Sequence, residues 1–246
     1  MSLFTFSTVG ILHSCYKEKF GIPRQPRLVT EALAELVLLP PYNNIDALRE
    51  IESFSHIWLI FIFNQTQQRE WKPLIRPPRL GGNQRIGVFA SRSMFRPNPV
   101  GLSAVELVRI NHSKDKVSLL LRGCDLVDGT PIVDIKPYLS YSDSIPEAKA
   151  DFAANAPVAQ FKIDFTAQAR RQCQQVNSEL SQQEGSLGVD LRKLIVQILQ
   201  LDPRPSYQRQ VGDRVYAMRL YNFDLRWKYQ EGDVILVLEL DRSEST

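Results

Sequence analysis

From residue 1 to about 165 the sequence keeps producing short strand-like runs and never settles into strand–helix–strand alternation. That constrains the fold most, because a doubly wound parallel sheet needs a helical crossover between successive strands. "FTFSTVGIL" (4–12) mixes β-branched and aromatic residues, and "ELVLL" (35–39) stops against Pro40-Pro41. "HIWLIFIF" (56–63) is continuously apolar, which predicts a strand buried on both faces, with His56 a core residue. "RIGVFASR", "GLSAVELVRI", "KVSLLLRG" and "TPIVDIKPYL" follow, and the turn "NHSKD" joins the second and third of these as a hairpin. The exception is "NIDALREIE" (44–52), which reads as a short helix capped by Asn44, with Ile45, Leu48 and Ile51 on one side. The fold class expected is mainly β: an antiparallel barrel or tightly curled sheet.

The character changes across the polar, Ala- and Pro-containing stretch 143–157. Beyond it lie a strand "QFKIDFT", a helix "AQARRQCQQVNSEL" and a second helix "VDLRKLIVQILQ". In the last, Leu191, Leu194, Ile195, Ile198 and Leu199 recur at i, i+3, i+4, i+7 and i+8. In "RVYAMRLYNFDLRW", Tyr221, Phe223, Leu225 and Trp227 alternate with polar residues, and "DVILVLEL" pairs back across "YQEGD". Two domains are therefore expected: a barrel over 1–157 and a small α+β domain over 158–246.

Several function classes are disfavoured. No G-x-G-x-x-G follows a strand, and there is no phosphate-loop or G-x-S-x-G motif. Cys15, Cys124 and Cys173 lack metal or disulfide spacing, as do His13, His56 and His112. The N-terminus lacks the basic start of a secretory signal, and the run Ile57–Phe63 is too short to span a bilayer. A cytoplasmic protein without membrane association is expected.

Charge is informative only locally. The net charge is +3, yet residues 69–98 hold Arg69, Lys72, Arg76, Arg79, Arg85, Arg92 and Arg96 against the single acid Glu70. Such a stretch attracts phosphate whatever the total charge. Residues 202–228 hold six basic residues against three acids.

Proline-braced loops carry the candidate chemistry. In "SRSMFRPNPVGLSAVEL" (91–107), Pro97 and Pro99 restrict the directions of Arg96 and Asn98, because proline limits its predecessor as well as itself. Arg92 and Arg96 offer planar forks for phosphate, carboxylate or a base edge. "YKEKFGIPRQPRL" (16–28) braces Arg24 and Gln25 in the same way, and "DPRPSYQ" (202–208) places Arg204 between prolines. "CDLVDGTPIVDIKPY" (124–138) gathers Asp125, Asp128 and Asp134 beside Lys136 and Tyr138. Three carboxylates are ligands for a hard cation, but Asp128-Gly129 is equally an ordinary β-turn, and no metal is expected.

"GVFASRSMFRPNPVGLS" resembles the "GVFATRS-FRPNPIGLS" signature of the TsaA-like proteins, also called TrmO. The likeness extends in order through "YKEKFGIPRQPRL", "RPPRLGGN", "LVDGTPIVDIKPYL" and "DPRPSY". It implies an S-adenosylmethionine-dependent methyltransferase acting on N6 of the threonylcarbamoylated adenosine at tRNA position 37, beside the anticodon. It further implies a homodimer built on a single antiparallel β-barrel. By motif it assigns donor contacts to Pro23, Arg24, Gln25, Asn64, Gln65, Arg92, Leu102, Asp125, Leu126, Val127 and Asp128. The family carries His-Gln where this chain has Asn64-Gln65, and an amide cannot take up the charge that an imidazole can.

The acceptor nitrogen of a urea attacks poorly while protonated, so Asp134 or Tyr138 is a candidate base. Lys136 or Arg96 is then a candidate partner for the threonyl carboxylate. Arg96, Asn98 and Arg204 are the candidate substrate contacts, with the anticodon stem-loop of tRNA as partner. A non-catalytic RNA-binding barrel is the main alternative, and a metal-dependent hydrolase the second.

Overall fold

The computed structural model describes residues 4–66, 70–81, 84–182, 188–204 and 214–242. Six strands close a barrel: β1 (Gly10–Ser14), β2 (Leu33–Leu38), β3 (His56–Ile62), β6 (Val100–His112), β7 (Val117–Arg122) and β8 (Thr130–Pro137). Around the barrel they run β1-β2-β7-β6-β3-β8, with antiparallel pairing of β3 to β6 and of β8 to β1 and β3. Between β3 and β6 lies a two-stranded excursion, β4 (Leu74–Ile75) with β5 (Ile86–Gly87). The mainly β expectation holds, and closure leaves the barrel no free sheet edge.

The interior is built by period-two alternation. Ile57, Leu59 and Phe61 of β3 are buried, and their partners across β6 are Val105, Ser103 and Gly101. Gly101 is required there: a Cβ on it would lie 2.1 Å from the Phe61 ring. The structure corrects the reading of β3 as buried on both faces. His56, Trp58, Ile60 and Ile62 are only half-buried and form an outer row, so His56 is not a core residue. A continuous apolar run does not distinguish an inner face from an apolar outer one.

Two other local expectations fail. Residues 44–52 form two 3-10 turns, Ile45–Leu48 and Ile51–Ser53, instead of a helix. Asn44 does cap the first turn, accepting from the Asp46 N–H at 3.0 Å, but Glu50 at φ 67° breaks the run. Among the turn residues only Leu48 is buried, too little apolar contact to stabilise a continuous helix. "RIGVFASR" is strand only at Ile86–Gly87; the Ser91 N–H and hydroxyl both donate to the Val88 carbonyl and close a 3-10 turn, Val88–Ala90.

The chain divides into two compact units that are not contiguous in sequence. The first comprises the described residues of Met1–His13, Ala34–Leu121 and Gly129–Ala156; the second comprises Ser14–Leu33, Arg122–Asp128 and those of Pro157–Thr246. The second has a sheet ordered β10 (Val215–Leu220), β11 (Phe223–Gln230), β12 (Val234–Arg242), β9 (Lys162–Phe165), with β9 parallel to β12. After the four-residue helix α1 (Ser140–Asp143) of the first unit, α2 (Ala167–Gln182) and α3 (Leu191–Gln200) belong to the second. All five periodic apolar residues of α3 are buried, and Asp190 caps it by accepting from the Lys193 N–H at 3.1 Å. The predicted alternation in β11 also holds, with Phe223, Leu225 and Trp227 buried; Tyr221 sits in the preceding turn at φ 51°.

Residues 14–33 and 122–128 join this unit through specific bonds. The Tyr221 N–H donates to the Cys15 carbonyl at 2.9 Å, and the Arg219 N–H donates to the Glu18 carboxylate at 3.0 Å. Phe20 stacks on Trp227 with centroids 5.9 Å apart. No described helix is long and apolar enough to cross a membrane.

Candidate active site

In the first unit Leu102, Asp134 and Lys136 occupy the outer face of the barrel. Pairing places Leu102 of β6, Ile60 of β3 and Asp134 of β8 side by side in one row. The adjacent row is Ala104, Trp58 and Lys136. Asp134 faces outward only because of a β-bulge. Phe61 pairs with Ile132 while Ile60 pairs with Asp134, so Val133 is the extra residue. In a regular strand Asp134 would share the inner face of Ile132, which is fully buried.

Asp134 is not idle. Its Oδ2 takes the Lys136 ammonium at 2.8 Å, and its Oδ1 accepts from the Ile135 N–H at 2.9 Å. Tyr138 lies beside Trp58, centroids 5.6 Å apart, and its N–H donates to the His56 carbonyl at 3.0 Å. Trp58 in turn donates from Nε1 to Asp143 Oδ2 at 2.8 Å. The Leu139 N–H and the Trp58 indole together hold the Asp143 carboxyl below its usual range. A run of strand pairing and side-chain bonds thus fixes Asp134, Lys136 and Tyr138 on one outer surface.

The proline-braced loop of the same unit is organised around Arg96. Its Nη1 donates to the Ser91 carbonyl at 2.7 Å and to the Val88 carbonyl at 3.3 Å, so part of the fork is spent inside its own loop. Arg92 and Asn98 are exposed, and Leu102 is 54% exposed. Asn64 and Gln65 lie in the 3-10 turn after β3, both exposed; Asn64 Nδ2 makes a long 3.5 Å contact with the Gly129 carbonyl.

The second unit carries the remaining candidates. Pro23 is buried, Arg24 exposed and Gln25 half-buried. The Asp125–Asp128 segment is pinned to residues 14–17. Ser14 Oγ donates to the Leu126 carbonyl at 2.8 Å, and the Asp128 N–H donates to the Tyr16 carbonyl at 2.8 Å. The Asp128 carboxylate is clamped by the Ser14 N–H at 2.9 Å and the Lys17 ammonium at 2.7 Å. Nothing in the sequence marks Lys17 or Ser14, because nothing there connects them to a residue more than a hundred positions away. Leu126 is buried, whereas Asp125, Val127 and Asp128 are half-buried.

Arg204 is buried, with its guanidinium against the Tyr229 ring at 3.3 Å and bonded to both oxygens of Asp202 at 2.8 and 3.1 Å. As folded, it holds its own unit together. Residues 205–208 of "DPRPSYQ", Arg69 of the basic stretch, and Gly82-Asn83 of "RPPRLGGN" lie outside the described residues. Among the described residues no cluster of His, Cys, Asp or Glu has the arrangement of a metal site.

The tRNA-methyltransferase O N-terminal domain matches residues 11–144, and the TrmO C-terminal domain matches residues 158–243. A tRNA (adenine(37)-N6)-methyltransferase of Escherichia coli is 46% identical over 241 residues, covering 97% of this chain and 99% of that one. A Pseudomonas aeruginosa protein, provisionally named an S-adenosylmethionine-dependent methyltransferase, is 42% identical, covering 95% of this chain and 96% of that one. The crystal structure of TrmO from Pseudomonas aeruginosa superposes with a TM-score of 0.80 at 35% identity, covering 97% of this chain and 98% of that one.

Proposed function

Since the chain belongs to the TrmO family, we propose that it methylates N6 of the threonylcarbamoylated adenosine at tRNA position 37, with S-adenosylmethionine as donor. The observation that carries this reading is the 46% identity, through both family domains, to an enzyme named for that position and atom. A cytoplasmic homodimer with the anticodon stem-loop as its partner completes the proposal.

The side chains fit such a donor chemically. A methionyl carboxylate needs a cation or N–H groups, and an α-amino group and ribose hydroxyls need acceptors. In the second unit Arg24 and Gln25 supply the first kind, and Asp125 and Asp128 the second; Lys17 and the Ser14 N–H fix the direction of Asp128. In the first unit Leu102, Asn64, Gln65 and Arg92 are the proposed contacts, and Pro23, Leu126 and Val127 complete the set. The bound donor supplies an electrophilic methyl group on a sulfonium.

What the chain adds is position and proton management. Holding a nucleophile in line with the methyl carbon is worth orders of magnitude in rate. The N6 proton has to leave, and Asp134 is the proposed base, with Tyr138 the alternative on the same surface. Asp134 Oδ2 is occupied by Lys136 until a competing anion draws the ammonium away. The threonyl carboxylate is such an anion, and its arrival frees Oδ2 to accept the proton. Arg96 and Asn98 are proposed to contact the same substrate. Arg204, held by Asp202, is proposed to act through the shape of its unit.

The deciding experiment incubates purified protein with S-adenosylmethionine and tRNA from cells lacking it, followed by nucleoside mass spectrometry. Conversion of the threonylcarbamoyl nucleoside to its N6-methyl form is expected. Binding of RNA without any such conversion would favour a non-catalytic barrel.

A further inference from the structure

The turn Val88–Ala90 is braced far more than a surface turn requires. Val88 is 1% exposed, and its N–H donates to the Pro73 carbonyl at 2.9 Å. Its carbonyl receives three donors: the Ser91 N–H at 3.2 Å, Ser91 Oγ at 2.8 Å and Arg96 Nη1 at 3.3 Å. Arg96 also ties down the Ser91 carbonyl at 2.7 Å. The residue this scaffold presents is Phe89, whose side chain is 74% exposed and has no polar atom to satisfy in water.

The Arg96 guanidinium lies 5.6 Å from the centre of the Phe89 ring. Nearby in the chain, Trp71 is 50% exposed, and Lys72 lies 5.7 Å from the centre of the Phe95 ring. Lys72, Arg76 and Arg85 are exposed and form no ion pair among the described residues. Exposed aromatic faces interleaved with unneutralised cations are what unpaired nucleic acid needs: rings take base faces and cations take phosphate. The surrounding charge is unlike the core of a protein–protein interface, where charged residues, lysine above all, are depleted.

We propose that Phe89 is a stacking platform for an unpaired base of the anticodon loop, with Arg96 as its positioning residue. The inference rests on tRNA being the substrate; it adds the side chain that grips an unstacked base, and it does not depend on which base is methylated.

The test measures affinity of the full-length protein for an anticodon stem-loop RNA and for a fully paired duplex of equal length. Wild type, Phe89→Ala, Phe89→Leu and Phe89→Trp are compared. Loss of a stacked base predicts about tenfold weaker stem-loop binding for Phe89→Ala. Phe89→Leu, apolar but without a π face, should be similarly impaired, and Phe89→Trp should bind as wild type. Duplex affinity, set by phosphate contacts, should be the same in all four. Equal stem-loop affinity in wild type and Phe89→Leu overturns the inference. So does a Phe89→Ala defect that appears in S-adenosylmethionine affinity, or in oligomeric state by sedimentation, instead of in RNA binding. Methyl transfer by wild type is scored separately: its absence counts against the proposed reaction alone, because the stem-loop comparison needs no turnover.

Discussion

Leu102 and Asp134 stand in one outer row of the barrel, each paired across a strand boundary with Ile60. Two inter-strand spacings put their Cα atoms ~10 Å apart. Residue 60 therefore sits within reach of both. If the methyl donor lies against Leu102 as proposed, Ile60→Lys would place an ammonium beside Asp134 and in the way of that cationic donor. The expected result is at least a tenfold fall in kcat/KM with little change in thermal midpoint, since the site is half-buried; ~0.5 kcal/mol is typical for surface changes. Methyl-transfer kinetics and thermal unfolding check it.

If Asp134 takes the N6 proton, Asp134→Asn removes the acceptor while keeping the shape. Single-turnover transfer should slow by about 100-fold or more, with tRNA affinity retained. Undiminished transfer rules out Asp134 as base and directs attention to Tyr138→Phe.

The contact between Gly101 and Phe61 is a packing prediction. Gly101→Ala drives a methyl into the Phe61 ring, and overpacking of this kind costs about 1–3 kcal/mol. Phe61→Leu in the same chain should recover part of the loss, although Phe61→Leu alone is destabilising. Chemical denaturation of the four proteins of the double-mutant cycle measures the coupling, and additive losses would contradict the contact.

Asp202, Arg204 and Tyr229 predict a pH dependence. Burial pushes the Asp202 carboxyl up, but hydrogen bonds from Arg204 and Tyr229 outweigh it, and the net value lies below the usual one. A depressed folded-state value means the triad stabilises above the unfolded carboxyl value of about 3.9. That contribution is lost as pH falls through the folded value. Asp202→Asn should cost about 3 kcal/mol at neutral pH by leaving a buried guanidinium uncompensated. The gap to wild type should narrow below about pH 4, as read from unfolding curves at a series of pH values.

All three thiols are buried and unbridged. Burial pushes Cys15 up to about 12 and Cys173 up to about 11, and Cys124 is raised for the same reason. A thiol-specific reagent at neutral pH should label none of them quickly in the native protein and all three after denaturation. Fast labelling of one would show local opening around that residue.

Much of this molecule was legible in one dimension. The missing strand–helix–strand alternation excluded a doubly wound sheet, and the apolar period of Leu191–Leu199 located α3 and its buried face. The alternation of Phe223, Leu225 and Trp227 located β11, and the resemblance of the braced loops to a family signature pointed to methyl transfer. Such signals are local: a period of two or 3.6 is complete within a few residues. What the sequence could not disclose depends on partners distant along the chain. The bulge at Val133 that turns Asp134 outward exists only against β3. The clamp of Lys17 and the Ser14 N–H on Asp128 closes across more than a hundred residues. Glu50 ends a helical pattern because its surroundings bury only Leu48. Local propensity wrote the elements into the chain, while long-range pairing selected which face of each element, and which end of each side chain, was free for chemistry.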